Sequence, residues 1–240
     1  MFAALAACGG GGSDDPMADW VANTGPPAHV VGHAFVFGPN SNNLSVAGAT
    51  IGVAEDATVA TTVGADGTFA FDVPSGGPSS FTLTQPGFHA NQSATLEVGA
   101  DGIAMLGFQA PTDDTFDLLA NLVRVTPDPA KCQLSTTVSR LGTAPYGGDG
   151  LGVEGATAAL DPVPEGALGP IYFAYNSTVP YPDKTLTATS LDGGVVWANV
   201  PVGEYTLTAT KAGVTFSTVT IRCRAGILIN AAPPNGIQQL

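Results

Sequence analysis

The chain has 240 residues, 44% of them hydrophobic, which is enough for one or two packed domains and too much for wholesale disorder. It carries 31 Gly and 19 Pro but only 11% charged residues, a profile of many turns and short strands, so the fold class expected is all-β. A net charge of -13, with no Lys or Arg before Arg124, excludes a nucleic-acid footprint and any direct attraction to anionic lipid.

The chain opens on Met1-Phe2-Ala3-Ala4-Leu5-Ala6-Ala7-Cys8, followed by Gly9 to Gly12, Ser13, Asp14, Asp15 and Pro16. Seven apolar residues are too few to span a bilayer. Small residues before a cysteine, then a polar glycine-rich run, are similar to the cleavage end of a signal peptide. Leu5-Ala6-Ala7-Cys8 resembles the lipobox of bacterial lipoproteins. That resemblance implies a diacylglycerol thioether on Cys8, cleavage before it, and a lipid bilayer as the first partner. Gly9, in place of the aspartate of inner-membrane retention, implies the outer membrane, facing the periplasm or the surface. The basic n-region and most of the apolar h-region of such signals are missing, so residues 1–8 read as a truncated signal peptide. Residues 9–27 are expected to be a flexible tether with a reach of roughly 20–25 Å.

The mature chain then gives one pattern twice, over residues 28–110 and 131–240. The first copy has Val46-Ala47-Gly48-Ala49-Thr50, Asp66-Gly67 before Phe69-Ala70-Phe71-Asp72-Val73-Pro74, and Phe81-Thr82-Leu83-Thr84 leading to Pro86-Gly87-Phe88. The second has Val153-Glu154-Gly155-Ala156-Thr157, Asp192-Gly193 before Val195-Val196-Trp197-Ala198-Asn199-Val200-Pro201, and Tyr205-Thr206-Leu207-Thr208 leading to Ala212-Gly213-Val214. Each Asp-Gly suits a tight turn between strands. Phe69/Phe71 and Val195/Trp197 alternate with other residues as one buried strand face would. Each Pro ends a strand because it cannot donate to a ladder. The order of these elements resembles the carboxypeptidase regulatory-like family, which implies two tandem seven-stranded transthyretin-like, or Ig-like, β-sandwiches. Residues 158–185 form an insertion in the second.

Between the copies, Phe116, Leu119 and Leu122/Val123 recur at helical spacing. Thr112 or Asp113 can cap the start, acids fill the first turn, and Pro127-Asp128-Pro129 would stop the helix. A short helical linker over 111–130 is expected, and a helix start accounts for its acids without a calcium ion, whose loop spacing is absent. Cys132 and Cys223 remain as an even pair, expected to form a disulfide in an oxidising compartment.

Catalytic signatures are absent from the sequence: there is no Gly-x-Ser-x-Gly elbow, and no His follows Cys132. No cofactor motif is present. His29, His33 and His89 could bind zinc only if the fold gathered them. The insertion carries Ile171-Tyr172-Phe173-Ala174-Tyr175 and, further on, Tyr181. Tyr172, Tyr175 and Tyr181 are the candidate ligand-binding residues, since planar tyrosine faces suit a polysaccharide or protein partner. A strand burying Ile171, Phe173 and Tyr175 is the competing expectation. The function expected is a non-catalytic, lipid-anchored envelope protein acting in binding, adhesion or spacing. A metal-dependent or carbohydrate-active enzyme, using those histidines or clustered carboxylates, is the alternative.

Overall fold

A computed structural model describes residues 16–38, 44–143, 152–175 and 180–240. Cys8 and the glycine run after it lie outside the described residues.

The fold is all-β, with packed sheets and, among the described residues, one helix. The first copy supplies β1 (Pro27–Phe37), β2 (Thr50–Val53), β3 (Asp56–Thr62), β4 (Thr68–Pro74), β5 (Gly77–Thr84), β6 (Asn91–Val98) and β7 (Ile103–Pro111). Strand β1 lies between antiparallel β4 and parallel β7, and β2 joins β3 to β5, which pairs with β6. Alternation on β1 buries Ala28, Val30 and Ala34 and leaves His29 and Val31 at the surface, as a one-sided sheet requires. The inward faces form a core around Val30, Ile51, Phe69, Phe81, Leu83 and Phe108.

The second copy repeats this wiring with β8 (Cys132–Thr137), β9 (Thr157–Asp161), β10 (Leu168–Ala174), β12 (Gly194–Val200), β13 (Gly203–Thr210), β14 (Val219–Cys223) and β15 (Leu228–Ala231). Strand β8 lies between antiparallel β12 and parallel β15, as β1 lies between β4 and β7, and the order β9-β13-β14 mirrors β2-β5-β6. One strand departs from the repeat. β3 stays beside β2, whereas its counterpart β10 crosses to β12 and takes the extra strand β11 (Tyr181–Asp183) on its other side. A tight turn holds β3 to β2; the longer stretch 162–167 between β9 and β10 lets β10 leave β9 and pair with β12. The second core gathers Leu134, Tyr172, Val195, Trp197, Leu207, Ile221 and Ile229. Cys132 and Cys223 are bonded, with Cα atoms 5.7 Å apart and a sequence separation of 91, tying β8 to β14.

The copies do not stand apart as beads on a linker. Strand β6, the edge of the first copy, pairs with β15 in parallel through Asn91 and Gln92, and with β14 in antiparallel fashion at Thr95–Thr220. One continuous twelve-stranded sheet results. Ala94 belongs to the second core, Val98 to the first, and Leu96 packs against both. An open sheet edge is a site for unwanted pairing, and here each copy covers the edge of the other.

Helix α1 (Asp113–Leu122) forms where its spacing predicts, with Thr112 as N-cap accepting from Thr115 N and Asp113 and Asp114 in the first turn. It ends before the prolines. Arg124 enters the left-handed region at φ 51°, so that its N–H reaches Asn121 O and the Val125 N–H reaches Ala120 O. These two bonds close a Schellman turn without the usual glycine. No residue of α1 is buried, so the joint between the copies is made by β6 and by residues after the helix. There Asn199, at φ 56° in a bulge of β12, accepts from Asp128 N and Gln133 Nε2 and donates to Thr126 O.

Candidate functional site

The described part of the expected tether, residues 16–26, is docked on the fold instead of free. Asn23 Nδ2 donates to Gly77 O at 2.9 Å and Ser79 Oγ at 3.1 Å, and Gly25 pairs with Ser75 O at 2.9 Å. Trp20 lies across the second copy, its ring 4.8 Å from the Arg224 guanidinium and 5.6 Å from that of Arg222. An indole face attracts a guanidinium, more strongly where water is partly excluded.

Beneath the strap is the main charged cluster of the described residues. Glu55, in the β2–β3 turn, has a side chain of 0% exposure and takes Arg222 Nη1 at 3.1 Å, Arg224 Nη2 at 2.8 Å and the Ser80 amide at 2.8 Å. Arg222 also meets Glu204 at 3.0 Å, and Arg224 donates to Gln92 Oε1 at 2.8 Å. Gln92 in turn donates to Arg222 O, and Arg222 N donates to Thr95 Oγ1. The first copy supplies the acid, the second the bases, and β6 the amide between them. This cluster was not legible in the sequence, because Glu55 and Arg224 are 169 residues apart.

The tyrosines separate. Tyr172 is 3% exposed, and its hydroxyl accepts from Ala158 N at 3.1 Å, so it belongs to the core and satisfies an amide of β9. It is therefore not a ligand platform. Tyr175 and Tyr181 are exposed at 41% and 40% and remain available; the stretch 176–179 between them lies outside the described residues. The competing expectation is also corrected, since Ile171 and Phe173 are buried but Tyr175 is not. β10 is covered on both faces, which removes the alternation that would have told the faces apart.

The histidines are not gathered. His29 pairs with Asp72 at 2.9 Å, His33 Nε2 donates to Asp66 O at 3.1 Å, and His89 stacks on Phe116 with ring centroids 3.6 Å apart. Burial holds the His89 imidazole below its usual pKa, against the opposing pull of Asp113 and Asp117. Among the described residues no three His, Cys, Asp or Glu side chains are grouped to hold a metal. One depression of about 310 Å3 is lined by Thr50, Thr84, Gln85 and Phe88, and another of about 220 Å3 by His89, Phe116, Pro127, Pro129 and Lys131. The cluster of acid and base lies in neither.

The two Asp-Gly turns hold their carboxylates in opposite ways. Asp66 is exposed, and the Thr68 hydroxyl and amide both donate to it, lowering its pKa. Asp192 accepts from the Gly194 amide, and burial pushes it up to about 6. Gly67 and Gly193, at φ +87° and +76°, provide the positive φ that both turns need.

No family model matches the chain, and no curated protein does. Solved structures that align with it include the Bacillus anthracis TIE protein, at 15% identity and a TM-score of 0.27 over 85% of this chain and 33% of that one. The shaft pilin SpaA from Lactobacillus rhamnosus GG aligns at 10% identity and a TM-score of 0.28, over 89% of this chain and 97% of that one. A streptococcal ancillary pilin aligns at 9% identity and a TM-score of 0.23, over 85% and 63%. The chain thus spans about a third of the length of the TIE protein.

Two outcomes follow for the side chains described. Glu55→Gln takes the counter-ion from the part-buried Arg224 and leaves the buried Arg222 with Glu204 alone, and should cost about 3–5 kcal/mol in urea unfolding. Glu204→Gln, on the half-exposed partner, should cost under about 1 kcal/mol. Asp192 binds its proton more tightly folded than unfolded, so its contribution to stability is full below pH about 4 and lost as pH rises through about 6. Asp192→Asn should remove that part of the slope, read as the difference between the urea midpoints of variant and parent at pH 4 and 6.5.

Proposed function

We propose that the chain is a non-catalytic, lipid-anchored envelope module that holds its surface at a set distance from a bilayer, with Cys8 as the lipidated residue. The observation that carries the reading is the seam: a buried carboxylate from one copy, two arginines from the other and a shared edge strand make two sandwiches into one stiff body. Such a body suits spacing or presentation. The chemistry-bearing side chains support the same reading, because the described histidines and the buried acid are engaged in structural pairs.

Anchoring draws support from the small residues before Cys8, the polar glycine run after it, and a cysteine pair elsewhere that is already oxidised. Among the described residues no helix is long and apolar enough to cross a membrane. Lipid on Cys8 would supply the attachment, each buried methylene contributing about 0.8 kcal/mol. Presentation to a protein or polysaccharide would use the exposed Tyr175 and Tyr181.

The anchor is tested by fractionation. In a bacterial host, the chain preceded by a complete lipoprotein leader should sediment with outer membranes and leave them only in detergent. Cys8→Ala should be recovered in the soluble fraction. Retention of the alanine variant in membranes would refute the anchor.

A further inference from the structure

The docked strap fixes where the chain leaves the body on its way to Cys8. Residues Pro16 to Trp20 form a turn in which Trp20 N donates to Met17 O at 3.0 Å and Val21 N to Asp19 O at 3.1 Å. One side of Trp20 is held on Arg222 and Arg224. Around it, Val21 is 68% exposed and Met17 41% exposed, and neither belongs to either core. An apolar edge made of Met17, Trp20 and Val21 therefore stands at the point where the tether begins.

We propose that this edge is a membrane-contact surface, seated at the headgroup level of the bilayer that carries Cys8; the proposal rests on the anchor reading. Seven residues, 9–15, separate Cys8 from the turn that begins at Pro16, and a flexible glycine-rich chain of that length has an r.m.s. reach of roughly 13–16 Å, which keeps the edge near the lipid. A linkage this short gives an effective concentration on the order of millimolar, at which even a weak affinity is populated. Indole beside aliphatic side chains is also the composition that partitions to the water–lipid boundary.

Charge selects the lipid. Asp19 lies within the edge and is exposed, and Asp14 and Asp15 precede it in the sequence, while Arg222 and Arg224 are occupied by Glu55 and Glu204. The fit is to zwitterionic headgroups, and anionic ones are repelled. Contact must be shallow, because the acids stay in water and Trp20 is held to the body. The consequence is orientation: the strap end of the seam faces the bilayer, and the stiff body is held at a fixed angle to it.

The experiment uses the full chain with its disulfide formed, which leaves Cys8 as the free thiol of the three cysteines. Coupling Cys8 to a maleimide phosphatidylethanolamine in phosphatidylcholine vesicles places it at a bilayer whatever the cell does with it. The protein has two tryptophans, and Trp197, 3% exposed in the second core, serves as the internal baseline. A lipid spin-labelled at its headgroup should reduce the Trp20 emission about twofold, with Trp197 unaffected. Val21→Asp, at an exposed position, should restore most of the lost emission, and replacing a third of the phosphatidylcholine by phosphatidylglycerol should do the same. Unchanged Trp20 emission in coupled protein that floats with the vesicles would overturn the proposal. Failure of the Cys8→Ala fractionation with positive quenching here would instead retire the anchor reading and leave the lipid affinity of the edge standing.

Discussion

A single carboxylate organises the molecule. Glu55 is removed from water entirely, and removing a charge from water is costly unless opposite charge and hydrogen bonds meet it. Two arginines and one backbone amide do so here, and both arginines come from the end of β14 and the residue just past it in the other copy. The seam can close only when Glu55, Arg222 and Arg224 are brought together, and closing it positions β6 against β14 and β15. Well-packed apolar residues could give such a seam similar stability; a charged triad adds a requirement for one register and one partner. Trp20 then covers the arginines, so the strap, too, is placed by this acid.

The two copies face each other in a nearly reciprocal way. β6 and β14 occupy equivalent positions in the repeat and pair antiparallel at Thr95 and Thr220, as equivalent strands do across a two-fold axis. The reciprocity ends at β15, which joins β6 without a matching partnership of β7 with β14. Instead β7 is stitched to the second copy by side chains: Asn235 Oδ1 accepts from Gly107 N, and Asn230 Nδ2 donates to Gln109 O. Fusion into one chain lets the contact become asymmetric, and the asymmetric part holds the charged cluster.

Local chemistry was readable from the sequence, and contacts distant along the chain were not. The Asp-Gly turns, the strand-ending Pro74, the Thr112 cap and the repeat itself each depend on residues a few positions apart, and each appears in the structure. The cysteine pair was readable because no His follows Cys132 to complete a metal site, which leaves two thiols few alternatives to pairing. The sheet assignment of β10 was not, because Ile171, Tyr172 and Phe173 are all buried and alternation vanishes on a strand covered on both faces. That same loss placed Tyr172 among the candidate binding residues, when its hydroxyl serves the Ala158 amide. The strap failed for a different reason. Its composition of Gly, Asp and Pro is that of a linker, and it is docked by Trp20, Asn23 and backbone bonds at Gly25 and Pro26.

The two copies behave as one body because the seam is part of both. Native-state hydrogen exchange along a urea series measures this directly, by comparing the slowest amides of β1, in the first copy, with those of β12, in the second. A shared seam predicts that both sets converge on one opening free energy with one dependence on urea. Two separate isotherms, with β1 opening while β12 stays protected, would contradict it.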